Sequence, residues 1–464
     1  MANKFLIGFV VFALVGLTVA LILVFGVNSS SSNSNSTKEA EIDSFPLKQE
    51  DPMKLNIIEP DVTELRKYNL PRGSLSRPST PNVTSGNFNW HTIFHETIPY
   101  EESKSFGHTI SRHENLLFVG DPSGSTTGKV WVYQHKKDAV EKAYDFEFTH
   151  VGTDFQKGGY CIDAPFVSAP DYVEDIEGSG KTQGAIFFME DLEVGERVQL
   201  SRFDLISDDD YSMLKQGVGF VYRKPYLYVP KKKHDHNRVD VYFFSEEHKS
   251  VSFEQSIVVN GENEYSLLGY GIAVNQENTA LILSDPVSDN VFIYQRKNHT
   301  DTWVQTQVMS DVFLPDNDVA TRKNQVYISD DSKTMFISTG DAEKVYVFLY
   351  DDAGDEGSYG KFDLHQTLEG DNGFGSSMAI TNDAFWMVIS EDLQNNMLHI
   401  YHWNDEKDCY TLLEDYNIES VMKKSVMSEK MLFYYTETSV YLAITSRADS
   451  EENPGHLVIL AIGD

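Results

Sequence analysis

Hydrophobic and polar positions follow two different patterns along the chain. Residues 5–27 are 23 consecutive uncharged positions rich in Phe, Leu, Val, Ile and Ala. At the rise of an α-helix such a run reaches about 34 Å, enough to cross a hydrocarbon core. Beyond residue 88 the apolar positions fall into short runs separated by Gly, Pro, Asn and Asp. That alternation predicts β-strands and tight turns.

The strand-like runs repeat. Phe106-Gly-His-Thr-Ile-Ser, Leu116-Leu-Phe-Val-Gly-Asp-Pro122 and Gly128-Lys-Val-Trp-Val-Tyr133 form one unit. It returns as Gly269-Tyr-Gly-Ile-Ala-Val274, Ala280-Leu-Ile-Leu-Ser-Asp-Pro286 and Asn290-Val-Phe-Ile-Tyr294. A further copy reads Gly373-Phe-Gly-Ser-Ser-Met-Ala-Ile380, Phe385-Trp-Met-Val-Ile-Ser390 and Met397-Leu-His-Ile-Tyr401, and weaker copies begin at Gly159, Gly219, Asn324 and Lys430. Anchors at positions 107, 159, 219, 271, 324, 375 and 430 step by 52, 60, 52, 53, 51 and 55 residues.

Each unit holds three strands, and a fourth apolar segment precedes the next glycine. These fourth segments are 144–150, 198–206, 251–259, 303–308, 362–368 and 410–415. Four antiparallel strands per repeat of about 50 residues predict one blade of a β-propeller. The fold class is therefore all-β, a seven-bladed propeller of four-stranded blades. The last unit ends after its third strand, 456–462, and a spare strand lies at 89–98, opening near Trp90. Residues 89–98 are expected to join the C-terminal blade, closing the ring and removing exposed sheet edges.

The domain division is a short tail and transmembrane signal anchor over 1–27, a flexible stalk over 28–87 and the propeller over 88–464. Lys4 precedes the apolar run and the next basic residue is Lys38. The positive-inside rule then keeps the N-terminus cytoplasmic and makes this a single-pass type II protein with an extracellular or lumenal propeller. A cleaved signal peptide ending near Val24 and Gly26, giving a secreted protein, is the rival reading. The apolar run exceeds the usual length of such a peptide, which favours the anchor. The Ser/Asn tract at 28–37 reads as a tether. Sequons mark Asn28, Asn35, Asn82 and Asn298 as candidate glycosylation sites.

Composition narrows the partners. There are 71 Asp and Glu against 38 Lys and Arg, a formal net charge of −33, which disfavours nucleic acid. Two cysteines, Cys161 and Cys409, exclude a disulfide scaffold and a four-thiolate zinc site. Their positions, one on an inner strand of blade two and one opening the outer strand of blade six, are too far apart for a mutual bridge.

The repeat resembles the FG-GAP repeat of integrin-α N-terminal propellers. Phe106-Gly107 and Phe374-Gly375 match its opening. Gly120-Asp-Pro122, Ser168-Ala-Pro170 and Ser284-Asp-Pro286 approximate its middle, and residues 128–133, 184–188 and 345–348 its closing strand. The resemblance implies the propeller fold over about 88–464. It also implies that the loops from strand two to three, and from strand four to the next blade, share a ligand-contacting face. One departure is plain. The strand-one to strand-two connections at 112–115, 275–279, 330–333 and 381–383 are too short for the family's calcium loop. No metal and no cofactor are expected.

On that face the resemblance gathers the candidate site residues. Asp171, Glu174, Asp175 and Glu177 form an acidic loop in blade two, and Asp208, Asp209 and Asp210 an acidic connection. Lys231, Lys232, Lys233, His234 and His236 form the main basic cluster, in blade three. Gly178-Ser-Gly-Lys-Thr182 ends like a phosphate-binding loop. Asp175 stands where that motif needs glycine, a strand follows instead of a helix, and the neighbouring carboxylates repel phosphate. Ser329-Asp-Asp-Ser-Lys-Thr334 reads as a turn. No catalytic pair stands out.

Three functions follow. The first is a membrane-anchored binding or adhesion module for a protein or glycan. The second is a hydrolase or lyase with its site in the axial funnel. The third is a structural surface component of a cell or enveloped particle.

Overall fold

Seven antiparallel sheets follow one another along the chain, each a meander of four principal strands. The computed structural model describes residues 89–463 except 101, 104, 124–127, 137–138, 148–159, 171–183, 191, 193–198, 204–211, 214–218 and 233–236. The other exceptions are 259–266, 311, 313–323, 340–342, 353–358, 372, 392–396, 419–421, 423–426, 437–438 and 448–453. The expected anchor and stalk, with Asn28, Asn35 and Asn82, lie outside the described residues. Among the described residues no helix is long and apolar enough to cross a membrane.

Blade one runs from the inner strand Thr109–His113 through Leu116–Asp121 and Lys129–Lys136 to the outer strand Ala139–Glu147. Its outer strand starts five residues before the expected segment at 144, because Ala139 is already paired with Lys136. The other blades repeat the order, with outer strands Gln199–Phe203, Ser250–Val258, Val304–Ser310, Lys361–Glu369 and Cys409–Asn417. Blade three carries one extra pairing, Ser212–Met213 against Lys231–Lys232.

The ring closes as the strand count requires. Asn89–Ile98 is the outer strand of blade seven and pairs antiparallel with Gly455–Gly463, from Asn89 opposite Gly463 to Ile98 opposite Gly455. N- and C-terminal segments thus share one sheet, and Gly455–Gly463 is paired on both sides.

Hydrophobic cores lie between blades rather than within them. Each of seven clusters joins residues of two successive blades. Leu117 and Val119 face blade seven, while Leu116 and Phe118 on the same strand face blade two. A second strand is therefore buried on both sides, which explains near-continuous apolar runs such as Ala280–Asp285. Outer strands alternate instead, as in Lys361–Glu369, because one side faces solvent.

The glycine anchors have a steric cause. Gly107 has φ +86°, and a Cβ there would sit 2.7 Å from the Ser446 carbonyl oxygen of the previous blade. Gly219, at φ +75°, lies equally close to Cys161 Cβ, at 2.8 Å. The chain turns there from one blade's edge to the next blade's centre, and only glycine permits both the left-handed backbone and the close approach. In blade four the left-handed glycine is Gly269, two positions before the expected anchor Gly271.

Six outer strands share a defect at one register. An extra residue bulges opposite Val132/Tyr133, Val241/Tyr242, Ile293/Tyr294, Val347/Phe348 and Ile400/Tyr401, and between Thr92 and Phe94 in blade seven. Bulges twist an edge strand out of line for further pairing, so the repeated defect guards the exposed rim. Just after three of these bulges, a glutamine reaches the next blade. Gln255 Oε1 accepts from Trp303 N–H at 3.2 Å. Gln307 and Gln366 each make two such bonds, to the main chain of Phe362 and Tyr410.

Candidate functional site

Inner strands of all seven blades surround an axial cavity of about 220 Å³. Ile110, Ile162, Val221, Ile272, Val326 and Phe433 line it, with Thr109 and Ser111 on the same inner strand as Ile110 and Cys161 next to Ile162. Polar groups gather at the two ends.

At the loop end stand His108, Tyr160, Tyr270, Gln325 and Lys430. The His108 ring lies 4.6 Å from that of Tyr160. Cys161 lies just below, buried, and its Sγ is 3.7 Å from the Phe220 carbonyl. Burial pushes its thiol up to about 11, with nearby Lys430 opposing, so it stays protonated and unreactive at neutral pH. Cys409 is also a free thiol, half-buried on the rim.

At the turn end, Asp163 accepts a hydrogen bond from Tyr222 N–H at 2.7 Å and lies 3.8 Å from Arg223 Nη1. Arg223 also donates to the carbonyls of Val274 and Tyr222, at 3.2 and 3.0 Å. Asp330 lies within electrostatic reach of Arg223. Burial raises its carboxyl pKa, and Arg223 and Asn382 pull it back. Sequence reasoning gave none of these three residues a role at the axis, and Asp330 entered only as part of the turn 329–334. The available signal was positional, since each lies at or just beyond the last residue of an inner strand.

The strand-one to strand-two turns are built as tight side-chain caps. Ser329 Oγ accepts from the N–H groups of Lys333 and Thr334, at 3.1 and 3.0 Å. Asn275 and Thr381 do the same at the equivalent turns. The Ser329–Thr334 motif is thus a turn, with Ser332 in a left-handed conformation at φ 60°.

On the loop face, Asp171, Glu174, Asp175, Glu177, Asp208, Asp209, Asp210, Lys233, His234 and His236 lie outside the described residues. The strand pairing nevertheless brings the connection that follows Asp210 against the basic segment, with Ser212 opposite Lys232 and Met213 opposite Lys231. Lys232 is exposed there. Lys231 departs from the expected loop placement. It belongs to the strand Tyr226–Lys232 and is turned inward, 3.0 Å from Asp240, with side chains only 3% and 0% exposed. Its ammonium also donates to Tyr242 Oη at 2.6 Å. Strand alternation puts Lys231 on the same side as Val229 and Leu227, facing blade two, so it cannot reach a ligand on the surface. Asn298 is exposed at a turn of blade four, and its Oδ1 accepts from Thr300 N–H and Oγ1 at 3.1 and 2.5 Å. Among the described residues no group of three or more His, Cys, Asp or Glu is placed to hold a metal.

The fold and channel define an all-β, seven-bladed propeller with four-stranded blades. No protein-family model matches the chain. No curated protein sequence matches it either. Similar solved structures include a protein from Lactobacillus plantarum, 13% identical with TM-score 0.46, covering 67% of this chain and 84% of that one. Another is the periplasmic gluconolactonase of Pseudomonas aeruginosa, 12% identical with TM-score 0.46, covering 71% and 96%. A third is the Cps50 (Swd1) β-propeller domain of Myceliophteria thermophila, 9% identical with TM-score 0.46, covering 78% and 97%. These are distant likenesses of chain trace and carry no chemistry across.

Proposed function

We propose that this protein is a membrane-anchored binding or adhesion module, presenting its propeller on the extracellular or lumenal side to a protein or glycan. The loop face is the ligand face. The observation that carries this reading is the pairing of Ser212–Met213 with Lys231–Lys232. It sets the segment that follows the acidic run Asp208–Asp210 beside the exposed Lys232 on a single blade, which supports a face where charges of both signs steer and orient a partner. Residues 5–27 supply the anchor, and the exposed sequon at Asn298 supports a glycosylated exported domain. The blades are of FG-GAP type. Phe106 and Phe374 are both buried before glycines with the same φ of +86°, as one repeat used twice would require.

Pull-down with the full chain in detergent, followed by Lys232→Glu and Asp209→Asn variants, tests the ligand face. Loss of a specific partner in either variant supports it, and retention of every partner in both defeats it. Alkaline extraction of membranes tests the anchor: release of the chain into the supernatant would make it a secreted protein.

A second reading, a hydrolase or lyase working in the axial cavity, is favoured by the raised pKa of Asp330 beside Arg223. Turnover of ester, lactone or glycoside probes that disappears in Asp330→Asn would establish it. The third reading, a structural surface component, gains no specific observation.

A further inference from the structure

A cleft of about 220 Å³ opens between blades five and six on the turn side of the ring, opposite the loop face. Its walls are Tyr350, Phe385 and Trp403, and its rim carries Asp331, Asp383 and Lys333. The floor is fixed by Tyr410, whose hydroxyl donates to the Ala384 carbonyl and whose ring meets that of Trp403 at 5.2 Å, near perpendicular. Tyr350 is held too, its Oη accepting from Gly360 N–H at 2.8 Å and its ring 5.2 Å from Phe362. Trp403 is half-buried, and its main chain is tied to the Phe385 carbonyl at 2.9 Å. The aromatic surfaces are therefore rigid and already in position.

The polar rim has unused capacity. Asp331 spends Oδ1 on Ser329 Oγ and Lys333 N–H, at 2.6 and 3.0 Å. Asp383 spends Oδ1 on Thr381 Oγ1 and Phe385 N–H, at 2.5 and 3.0 Å. Those bonds lock both carboxylates in place. They leave each Oδ2, the Lys333 ammonium and the Trp403 indole N–H without a partner among the described residues. The cleft thus combines hard aromatic walls with two fixed acceptors and two donors.

We propose that this cleft is a binding site for a pyranose ring, the terminal sugar of a glycan. A pyranose has an apolar C–H face that lies on an aromatic ring and a perimeter of hydroxyls that both donate and accept. Donors and acceptors of both kinds on one rim suit that perimeter. An ammonium ligand would meet aromatic walls and carboxylates, but also the charge of Lys333 in the same cleft, which disfavours it. The site is independent of the loop face and does not rest on the reading given for it.

Saturation-transfer difference NMR on the full chain in detergent micelles tests the site. The probes are methyl β-glucopyranoside, methyl α-mannopyranoside and N-acetylglucosamine. Transfer to ring C–H protons of at least one is expected. Affinity should fall roughly five-fold or more in Trp403→Leu and in Lys333→Ala, and stay unchanged in Lys407→Ala. Lys333 is exposed, so its variant decides the matter if Trp403→Leu fails to fold. The proposal is overturned by no transfer to any of the three sugars. It is also overturned by undiminished transfer in Lys333→Ala, or by binding of tetramethylammonium in place of the sugars.

Discussion

The imidazole of His95 stacks on that of His456, with Nε2 2.9 Å from Nδ1, across the seam where the two ends of the chain meet. One of the facing nitrogens must accept while the other donates, so the pair cannot carry a proton on both. Burial and the neighbouring His95 lower the pKa of His456 from 6.5 to about 4. Burial lowers that of His95 as well. A folded-state pKa below the unfolded one means that the unfolded chain takes up protons first as pH falls. The seam's contribution is therefore full above pH 6.5 and is lost as pH falls toward about 4. Thermal melting across that window should show a loss on the order of 2 kcal/mol. His95→Gln should flatten the dependence, and an unchanged slope would count against the pair.

Removing residues 1–98 should leave Gly455–Gly463 as an open edge and expose the face that Trp90 and Ile98 cover. Such a chain is expected to aggregate or to melt far below the intact protein. A synthetic peptide spanning 89–98 should restore a soluble monomer, measured by size-exclusion chromatography. A truncated chain that stays monomeric at full stability would show that closure contributes little.

Gln307 makes two 2.9 Å bonds to the main chain of Phe362 in the next blade, so both of its amide groups are used. Gln307→Leu keeps the side-chain volume but orphans one main-chain donor and one acceptor. The expected loss is about 1–3 kcal/mol, read from the urea midpoint. Gln366→Leu should behave alike, through Tyr410.

At Gly107, alanine would meet the Ser446 carbonyl at 2.7 Å in a left-handed backbone. Gly107→Ala should cost about 2–3 kcal/mol or more, and Gly219→Ala a similar amount. A midpoint unchanged in both variants would mean that the blade crossings can shift freely.

Lys231 and Asp240 form a buried pair, with Arg238 Nε also 2.9 Å from Asp240 Oδ1. Lys231→Ala leaves less positive charge against a fully buried carboxylate, so a loss of about 3 kcal/mol is expected in chemical denaturation. Lys232→Ala, one residue on and exposed, should change stability by less than about 0.5 kcal/mol. Equal effects at the two positions would contradict the inward orientation of Lys231.

The contrast between Lys231 and Lys232 also marks the limit of reading charge from sequence. Three consecutive lysines look like one solvated cluster. A strand alternates its side chains, and the first of the three was taken inward by Asp240 on the neighbouring strand. The glutamines after the bulges were equally silent, because a polar residue on an alternating outer strand looks like ordinary solvent-facing sequence. Asp163, Arg223 and Asp330 converge only because three inner strands end around one axis.

The sequence by itself determined the repeat, its seven copies, the four-stranded blade and the joining of 89–98 to the C-terminal strand. All of these follow from local periodicity and from counting strands, which need no knowledge of neighbours. Only the tertiary structure decided which side chains meet across blades. The His95–His456 seam, the Gln307 latch and the cleft of Trp403, Asp331 and Asp383 each join residues from different blades or from opposite ends of the chain. Their chemistry depends on contact distances of a few ångströms, and spacing along a chain does not encode such distances.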